Sequence, residues 1–161
     1  MTGTRSTTRR TATVDPRLAL RARELLGRAE AMAAHATDAP EPTEQLRALY
    51  LAALRAAGAA LVIGEKSTVR PRRGSVSAWA RLPRALPELT TWATYFAGLS
   101  RLRADIELGV VRDIEPARVQ ATQARLADFL AEVQAQVVAF EHGTRVPAGH
   151  RSATLAELSA G

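Results

Sequence analysis

The sequence contains no cysteine and very little histidine. Without cysteine the chain can form no disulfide framework, no thiolate metal site and no cysteine nucleophile. Its histidines, His35, His142 and His150, are scattered, and none belongs to a His-x-x-x-His pair that would suit a zinc ion. We therefore predict no metal site and no cofactor. The lack of cysteine fits a reducing compartment, and we expect a cytoplasmic protein.

Lysine, aromatic residues and long apolar stretches are scarce as well. Lys66 is the only lysine among 22 basic residues, and aromatic residues make up 4% of the chain. The single membrane candidate, Ala48 to Gly64, carries Arg55 near its middle, where insertion costs about 2.5–3.5 kcal/mol. Residues 1–16 lack the apolar stretch of a signal peptide. We expect neither a membrane span nor a secretion signal.

The composition that remains is that of an ordinary globular domain. The 161 residues are 47% hydrophobic and 24% charged, which suits one domain with a single core. Apolar residues recur at three- and four-residue spacing, and no segment reads convincingly as a strand. We predict an all-α fold, an antiparallel up-and-down helical bundle of four to five helices over residues 15–142. A disordered basic tail, residues 1–14, precedes it, and a C-terminal tail, residues 143–161, follows.

Local signals place the first two helices. Asp15 followed by proline predicts a helix that begins there and extends to about His35. After a proline-containing break, Thr43 is expected to cap a second helix that reaches about Ile63 and is ended by Gly64. Because this second helix is apolar nearly all round, we predict that it lies at the centre of the bundle.

The remaining helices lie close to prolines. A short helix is predicted over residues 75–81, and Pro83 is expected to disrupt it. The spans 87–109 and 116–143 are predicted to be long helices, each opened by proline and ended by glycine. Tyr95 is the best candidate for an exposed aromatic side chain. The positions expected to face inward are Leu89, Trp92, Phe96, Leu99, Leu102 and Ile106 on the first of these helices, and Val119, Leu126, Phe129, Val133, Val137 and Phe140 on the second.

Positive charge is concentrated in two segments. The formal net charge is +6, to which residues 64–84 contribute +5 and residues 1–13 contribute +3, so the rest of the chain is slightly acidic. A local excess of this kind is what an anion-facing surface needs. The number of arginines alone is weaker support for nucleic acid, because a chain so rich in alanine and arginine also fits a codon bias.

The basic loop, which we define as residues 65–74, carries Lys66, Arg70, Arg72 and Arg73. Each guanidinium offers five donors in a planar fork that matches phosphate oxygens. We therefore predict that these four side chains bind the phosphates of RNA or DNA. The alternative for the same loop is a solvated surface segment without a ligand.

Three stretches together resemble a known family: YLAALRAAGAAL at residues 50–61, RGSVSAWARL at 73–82 and PELTTWATYFAGLSRLRADIELG at 87–109. They are similar to short stand-alone HEPN-domain proteins of actinobacteria, HEPN denoting the higher eukaryote and prokaryote nucleotide-binding superfamily. The resemblance covers residues 15–140. It implies an up-and-down helical bundle, often a homodimer, in a superfamily rich in RNA-processing and RNA-binding members.

The catalytic motif of that superfamily is not found where the resemblance would place it. Its ribonucleases carry arginine, four to six residues and then histidine near the start of a late helix. Here the spacing occurs only as Arg28/His35 on the first helix and as Arg145/His150 in the tail. We assign no catalytic residue and predict a non-enzymatic module that binds nucleic acid or a partner protein. The alternatives are a divergent metal-independent ribonuclease and a protein-interaction adaptor that binds no nucleic acid.

Overall fold

The protein folds as an all-helical bundle, described here by a computed structural model for residues 14–144. Helix covers 77% of these residues and no strand occurs among them, which confirms the predicted fold class. The tails predicted at the two ends fall almost wholly outside the described residues. The five α-helices are α1 (Pro16–His35), α2 (Pro42–Gly64), α3 (Ala78–Ala85), α4 (Thr90–Glu107) and α5 (Pro116–Glu141), with short 3₁₀ turns at Ala36–Asp38 and Pro87–Leu89.

Helix α1 begins as predicted, because the Asp15 carboxylate accepts a hydrogen bond from the Arg17 backbone N–H at 2.9 Å. The prediction that Thr43 caps α2 is wrong. Glu41 occupies that position, without a side-chain cap, and Pro42 takes the first helical position. Proline suits that position, since its missing N–H would have had no partner inside the helix. Thr43 therefore lies inside the helix.

Helix α2 is the centre of the bundle, in contact with α1, α3, α4 and α5. Its length and composition would allow it to cross a membrane, but 67% of its most apolar window is buried by the other helices. That is the burial of a core helix. Its small side chains let the neighbouring helices approach closely, and the alanines with no exposed surface are Ala52, Ala53, Ala56, Ala57, Ala59 and Ala60.

Helices α2, α4 and α5 end in the same way, with one residue in the left-handed region just past the helix. That residue is Gly109 after α4 and Gly143 after α5, as expected for glycine. After α2 it is Lys66, with φ 53°, and the Ser67 N–H donates to the Val62 carbonyl at 3.1 Å. Helix α2 thus ends at Gly64, as predicted, but the left-handed residue that follows it is Lys66 and not a glycine.

Gly64 is instead required by a close approach between helices. A Cβ built on it would lie 2.9 Å from the Ala85 Cβ and 3.0 Å from the Leu86 Cγ. Such distances are shorter than a packed interior tolerates, so the end of α2 can meet the end of α3 only because this residue lacks a side chain. The contact fixes where α3 lies after the basic loop.

The short helix also differs from its prediction. Helix α3 spans Ala78–Ala85 instead of residues 75–81, and Pro83 lies inside it. The Ser77 hydroxyl caps its start by accepting from the Ala80 N–H at 3.3 Å. Proline removes one hydrogen bond from a helix, and the burial of Trp79 and Leu82 keeps this one folded. The α-helical geometry of the next segment likewise starts at Thr90, three residues after the proline that opens it.

Aromatic rings from four helices meet in the core. Phe96 of α4 lies with its ring centroid 5.0 Å from Phe129 of α5 and 5.2 Å from Trp79 of α3. The Trp79 indole N–H donates to the Tyr50 hydroxyl of α2 at 3.1 Å, which satisfies a polar group inside the core. The prediction that Trp92, Phe96, Leu126 and Phe129 are buried together is confirmed.

Two further side-chain contacts involve an arginine of α1 and an arginine of α5. Arg23 of α1 donates to both carboxylate oxygens of Glu141 of α5, at 2.6 and 2.7 Å, and holds the pKa of that carboxyl below its usual range. Tyr95 is half-buried, edge-on to Phe96 and beneath the Arg125 guanidinium, whose carbon lies 5.5 Å from the ring centroid. Its predicted exposure is therefore wrong, because the Phe96 ring and the Arg125 side chain lie against its ring.

Trp92→Ala should lower the free energy of unfolding by about 3–5 kcal/mol, because truncation of a buried aromatic residue leaves a cavity among the other rings. Chemical denaturation with helical circular dichroism as the readout measures the change. A decrease within about 0.5 kcal/mol would be typical of a surface position and would contradict the register of α4.

Gly64→Ala should destabilise the bundle by about 1–3 kcal/mol, since its methyl group would push the ends of α2 and α3 apart. Gly98→Ala is the matched control: Gly98 lies within α4 with nothing within 4 Å of a built Cβ. There the change should stabilise the protein by about 0.8–1 kcal/mol through helix propensity. Equal effects of the two substitutions in the same denaturation experiment would contradict the close approach.

Candidate nucleic-acid interface

The basic loop lies on the surface between α2 and α3. Its cationic side chains, Lys66, Arg70, Arg72 and Arg73, are all exposed. Among residues 14–144, none of the four makes a side-chain hydrogen bond or an ion pair. The structure therefore leaves each predicted phosphate-binding side chain accessible to a ligand.

The one carboxylate of the basic loop is already engaged. Arg81 of α3 donates from Nε and Nη2 to the two oxygens of Glu65, at 2.9 and 2.5 Å. This bidentate pair raises the pKa of Arg81, against the opposing effect of its burial. It also ties the start of the loop to the helix that follows it. Because Arg81 is paired with Glu65, its guanidinium is not available to a ligand. For the same reason Glu65 does not pair with the remaining cations of the loop, and the formal charge of the segment is unchanged.

A tight turn sets the backbone around the last two arginines. The Ser75 N–H donates to the Arg72 carbonyl at 3.1 Å, and Gly74, the third residue of this turn, has a φ of 79°. A positive φ at that position is the reason for glycine, since no neighbouring atom lies within 4 Å of a Cβ built there. Arg72 and Arg73 are consecutive residues of this turn and present two guanidinium groups from one short segment.

A cleft lies beneath the basic loop, between the loop and helices α1 and α2, with a volume of about 220 Å³. Arg21 of α1, Arg55 of α2, Arg70 of the loop and Arg81 of α3 line it, together with Glu65. Arg55 is half-buried, and its side chain has no hydrogen bond or ion pair in the part of the chain that the structure describes. The apolar part of the wall is formed by Leu25, Leu54, Leu61, Val62, Val69 and Pro71, and Ser67 and Thr68 also line the cleft.

Sequence reasoning missed Arg21 and Arg55 as site residues. In the sequence Arg55 stands out only as an obstacle to membrane insertion. The available signal was that it is the only charged residue between Ala48 and Ile63, because a charge on an otherwise buried helix needs a partner or access to water. Arg21 had no such signal, since it is one of several arginines on α1.

The histidines form no shared site in the described residues. His35 is exposed at the end of α1, with Nδ1 2.9 Å from the Asp38 carboxylate, and Arg28 lies two helical turns earlier. The Nδ1 of His142 contacts the Val138 carbonyl at 2.8 Å. No group of three or more potential metal ligands occurs between residues 14 and 144. The other predicted arginine–histidine spacing, at residues 145 and 150, lies outside this range, as do the arginines of residues 1–13.

Comparison with known families finds a match to a HEPN family. The family model described as SAV_6107-like HEPN matches residues 33–134, which is more than half of the chain. The matched segment contains α2, the basic loop, α3, α4 and most of α5. The comparison with curated proteins and the comparison with solved structures found no match.

Lys66→Gly should leave the free energy of unfolding unchanged or raise it by up to about 1 kcal/mol, because glycine adopts a positive φ without steric cost. Lys66→Ala is the control that removes the same charge but keeps a Cβ. It should be less stable than the glycine variant by about 1 kcal/mol. Urea unfolding of the two variants is the measurement, and an alanine variant as stable as the glycine variant would contradict this end of α2.

Proposed function

Because this chain belongs to the SAV_6107-like HEPN family and carries an accessible cationic loop, we propose that it is a cytoplasmic, non-enzymatic helical module that binds nucleic acid. The basic loop contacts the phosphates. Its guanidinium groups act as planar donors and Lys66 acts as a point charge. Because phosphate contacts carry no sequence information, binding of this kind is general with respect to sequence.

The observation that carries the proposal is the set of unpaired cations on the basic loop. Lys66, Arg70, Arg72 and Arg73 are exposed, and none has an ion-pair partner within residues 14–144. Elsewhere in the bundle Arg23 pairs with Glu141 and Arg81 pairs with Glu65. The loop cations differ from these, and an external polyanion would supply the missing partners.

The non-enzymatic character is supported by the placement of the arginine–histidine spacings. The long helices α4 and α5 carry no histidine, and Arg28 and His35 lie on α1, away from the basic loop in sequence. A ribonuclease would need such a pair near the bound phosphate, since a general acid or base must reach the proton that it transfers. A cleavage assay belongs in the same experiment for this reason.

Replacement of Arg70, Arg72 and Arg73 by alanine should weaken binding to RNA and DNA oligonucleotides of any sequence. The slope of log affinity against log salt should become shallower by up to about 3, about one unit for each phosphate that the variant no longer neutralises. Fluorescence anisotropy over a series of salt concentrations measures both quantities. No cleavage products should appear during long incubation.

The matched control replaces Arg28, Arg47 and Arg112 by alanine. These are exposed arginines outside the basic loop, and their replacement removes the same formal charge. It should leave most of the affinity and the salt slope in place. Equal effects of the two triple replacements would contradict the loop assignment and indicate only a general effect of net charge. Absence of binding in the parent protein would favour the adaptor. Cleavage that His35→Ala abolishes would favour the ribonuclease.

We also propose that the protein is a homodimer, supported by apolar side chains that the bundle leaves exposed. Leu108 and Val110, in the connection between α4 and α5, are 78% and 72% exposed. Burial of such side chains between two copies would stabilise association. Light scattering at micromolar concentration should give about twice the 17.3 kDa of one chain. A mass that stays at that of one chain on concentration would refute the dimer.

A further inference from the structure

Arg55 is a charged side chain for which the described bundle provides no polar partner. It lies on the central helix, half-buried, without a side-chain hydrogen bond or ion pair anywhere in residues 14–144. A half-buried arginine without a counter-charge has no polar partner from the fold, and an anion beside it would supply one. The residue lines the cleft beneath the basic loop, and this cleft is where such an anion would bind.

The charges around the cleft favour an anion as well. Four arginines line it against one carboxylate, Glu65, both of whose oxygens are engaged by Arg81. Arg21 makes only a long contact to Glu24, 3.3 Å between exposed side chains, and such a surface pair contributes little. Arg21, Arg55 and Arg70 therefore leave a net positive charge in the cleft.

The cleft also has the size and walls for an organic group beside the anion. Its volume of about 220 Å³ exceeds the roughly 30 Å³ of one water several-fold, so a bare phosphate would leave much of it empty. Leucine, valine and proline side chains form much of the wall, and guanidinium planes stack on flat rings. The hydroxyl groups of Ser67 and Thr68 lie at the same cleft and can donate to a phosphate or a sugar.

We propose that this cleft binds a phosphate monoester with a flat organic body of the size of one nucleoside. The phosphate lies against Arg55 and Arg70, and the organic body lies against the apolar wall. The cleft differs in its ligand from the outer surface of the basic loop: the cleft binds a phosphate monoester, and the loop surface contacts the phosphodiester backbone of a strand. The same monoester chemistry is found in a free nucleoside monophosphate and at the 5′ end of a phosphorylated strand.

Calorimetric titration with adenosine monophosphate tests the proposal, with adenosine as the ligand that lacks the phosphate. One molecule of the monophosphate should bind per chain, and adenosine should bind at least about tenfold more weakly. Arg55→Gln should lower the affinity for the monophosphate about tenfold or more, the decrease expected for removal of a charged hydrogen-bond donor. Arg47→Gln, an exposed arginine on the same helix outside the cleft, should bind like the parent.

Arg70→Gln is a second variant, and it should fold like the parent because Arg70 is exposed on the loop. It should also weaken binding of the monophosphate. The proposal is overturned if the parent binds no monophosphate at millimolar concentration, if adenosine binds equally well, or if Arg55→Gln and Arg70→Gln, both folded by circular dichroism, bind like the parent. An equal decrease in Arg47→Gln would overturn it too.

Oligonucleotides separate this proposal from the nucleic-acid proposal and distinguish the two sources of the monoester. Salt-dependent binding of oligonucleotides without binding of the monophosphate refutes the cleft and leaves the loop surface standing. Binding of the monophosphate without binding of oligonucleotides supports the cleft and refutes the nucleic-acid function. Where both bind, a 5′-phosphorylated oligonucleotide that displaces the monophosphate better than its 5′-hydroxyl counterpart assigns the cleft to a strand end. Equal displacement by the two assigns it to a free nucleotide.

Discussion

Helix α2 has to be surrounded by other helices, and the remaining architecture follows from that requirement. From Ala48 to Ile63 it is apolar on nearly every face, so it can avoid water only if several elements pack against it at once. Four helices do so, and the aromatic cluster fills the space between three of them and α2. Arg55, the one charge in that stretch, lies at the cleft between the basic loop and α1. The cleft is thus a consequence of how the core is built.

The same packing determines how the basic loop is presented. Gly64 lets the end of α2 touch the C-terminal end of α3, which fixes α3 against α2 after the basic loop. The Glu65–Arg81 pair then ties the start of the loop to α3 and engages the one carboxylate of the loop itself. A surface loop that is tied at its base and has unpaired arginines on its outside favours a ligand of opposite charge. The proposed function depends on these two contacts as much as on the arginines.

Much of the fold could be predicted because its signals are local. Proline and capping residues mark the helix starts, three- and four-residue spacing marks the buried faces, and the resemblance to HEPN-domain proteins is confirmed by the family match. Sequence signals fail where a tertiary contact determines the role of a residue. Gly64 carried the usual signal of a helix end, yet its role is contact with Ala85, and Lys66 takes the positive φ instead. The basic loop was found from composition, but the cleft with Arg55 depends on how that loop folds back over α2.

We propose that the basic loop of this HEPN-family bundle is the surface that nucleic-acid phosphates contact. Nuclear magnetic resonance of the arginine side-chain Nε–H groups during titration with an oligonucleotide tests it at single residues. The signals of Arg70, Arg72 and Arg73 should shift and exchange more slowly with solvent, while those of Arg28, Arg47 and Arg112 stay in place. Shifts spread evenly over all arginines, or concentrated on a face away from the loop, would contradict the claim.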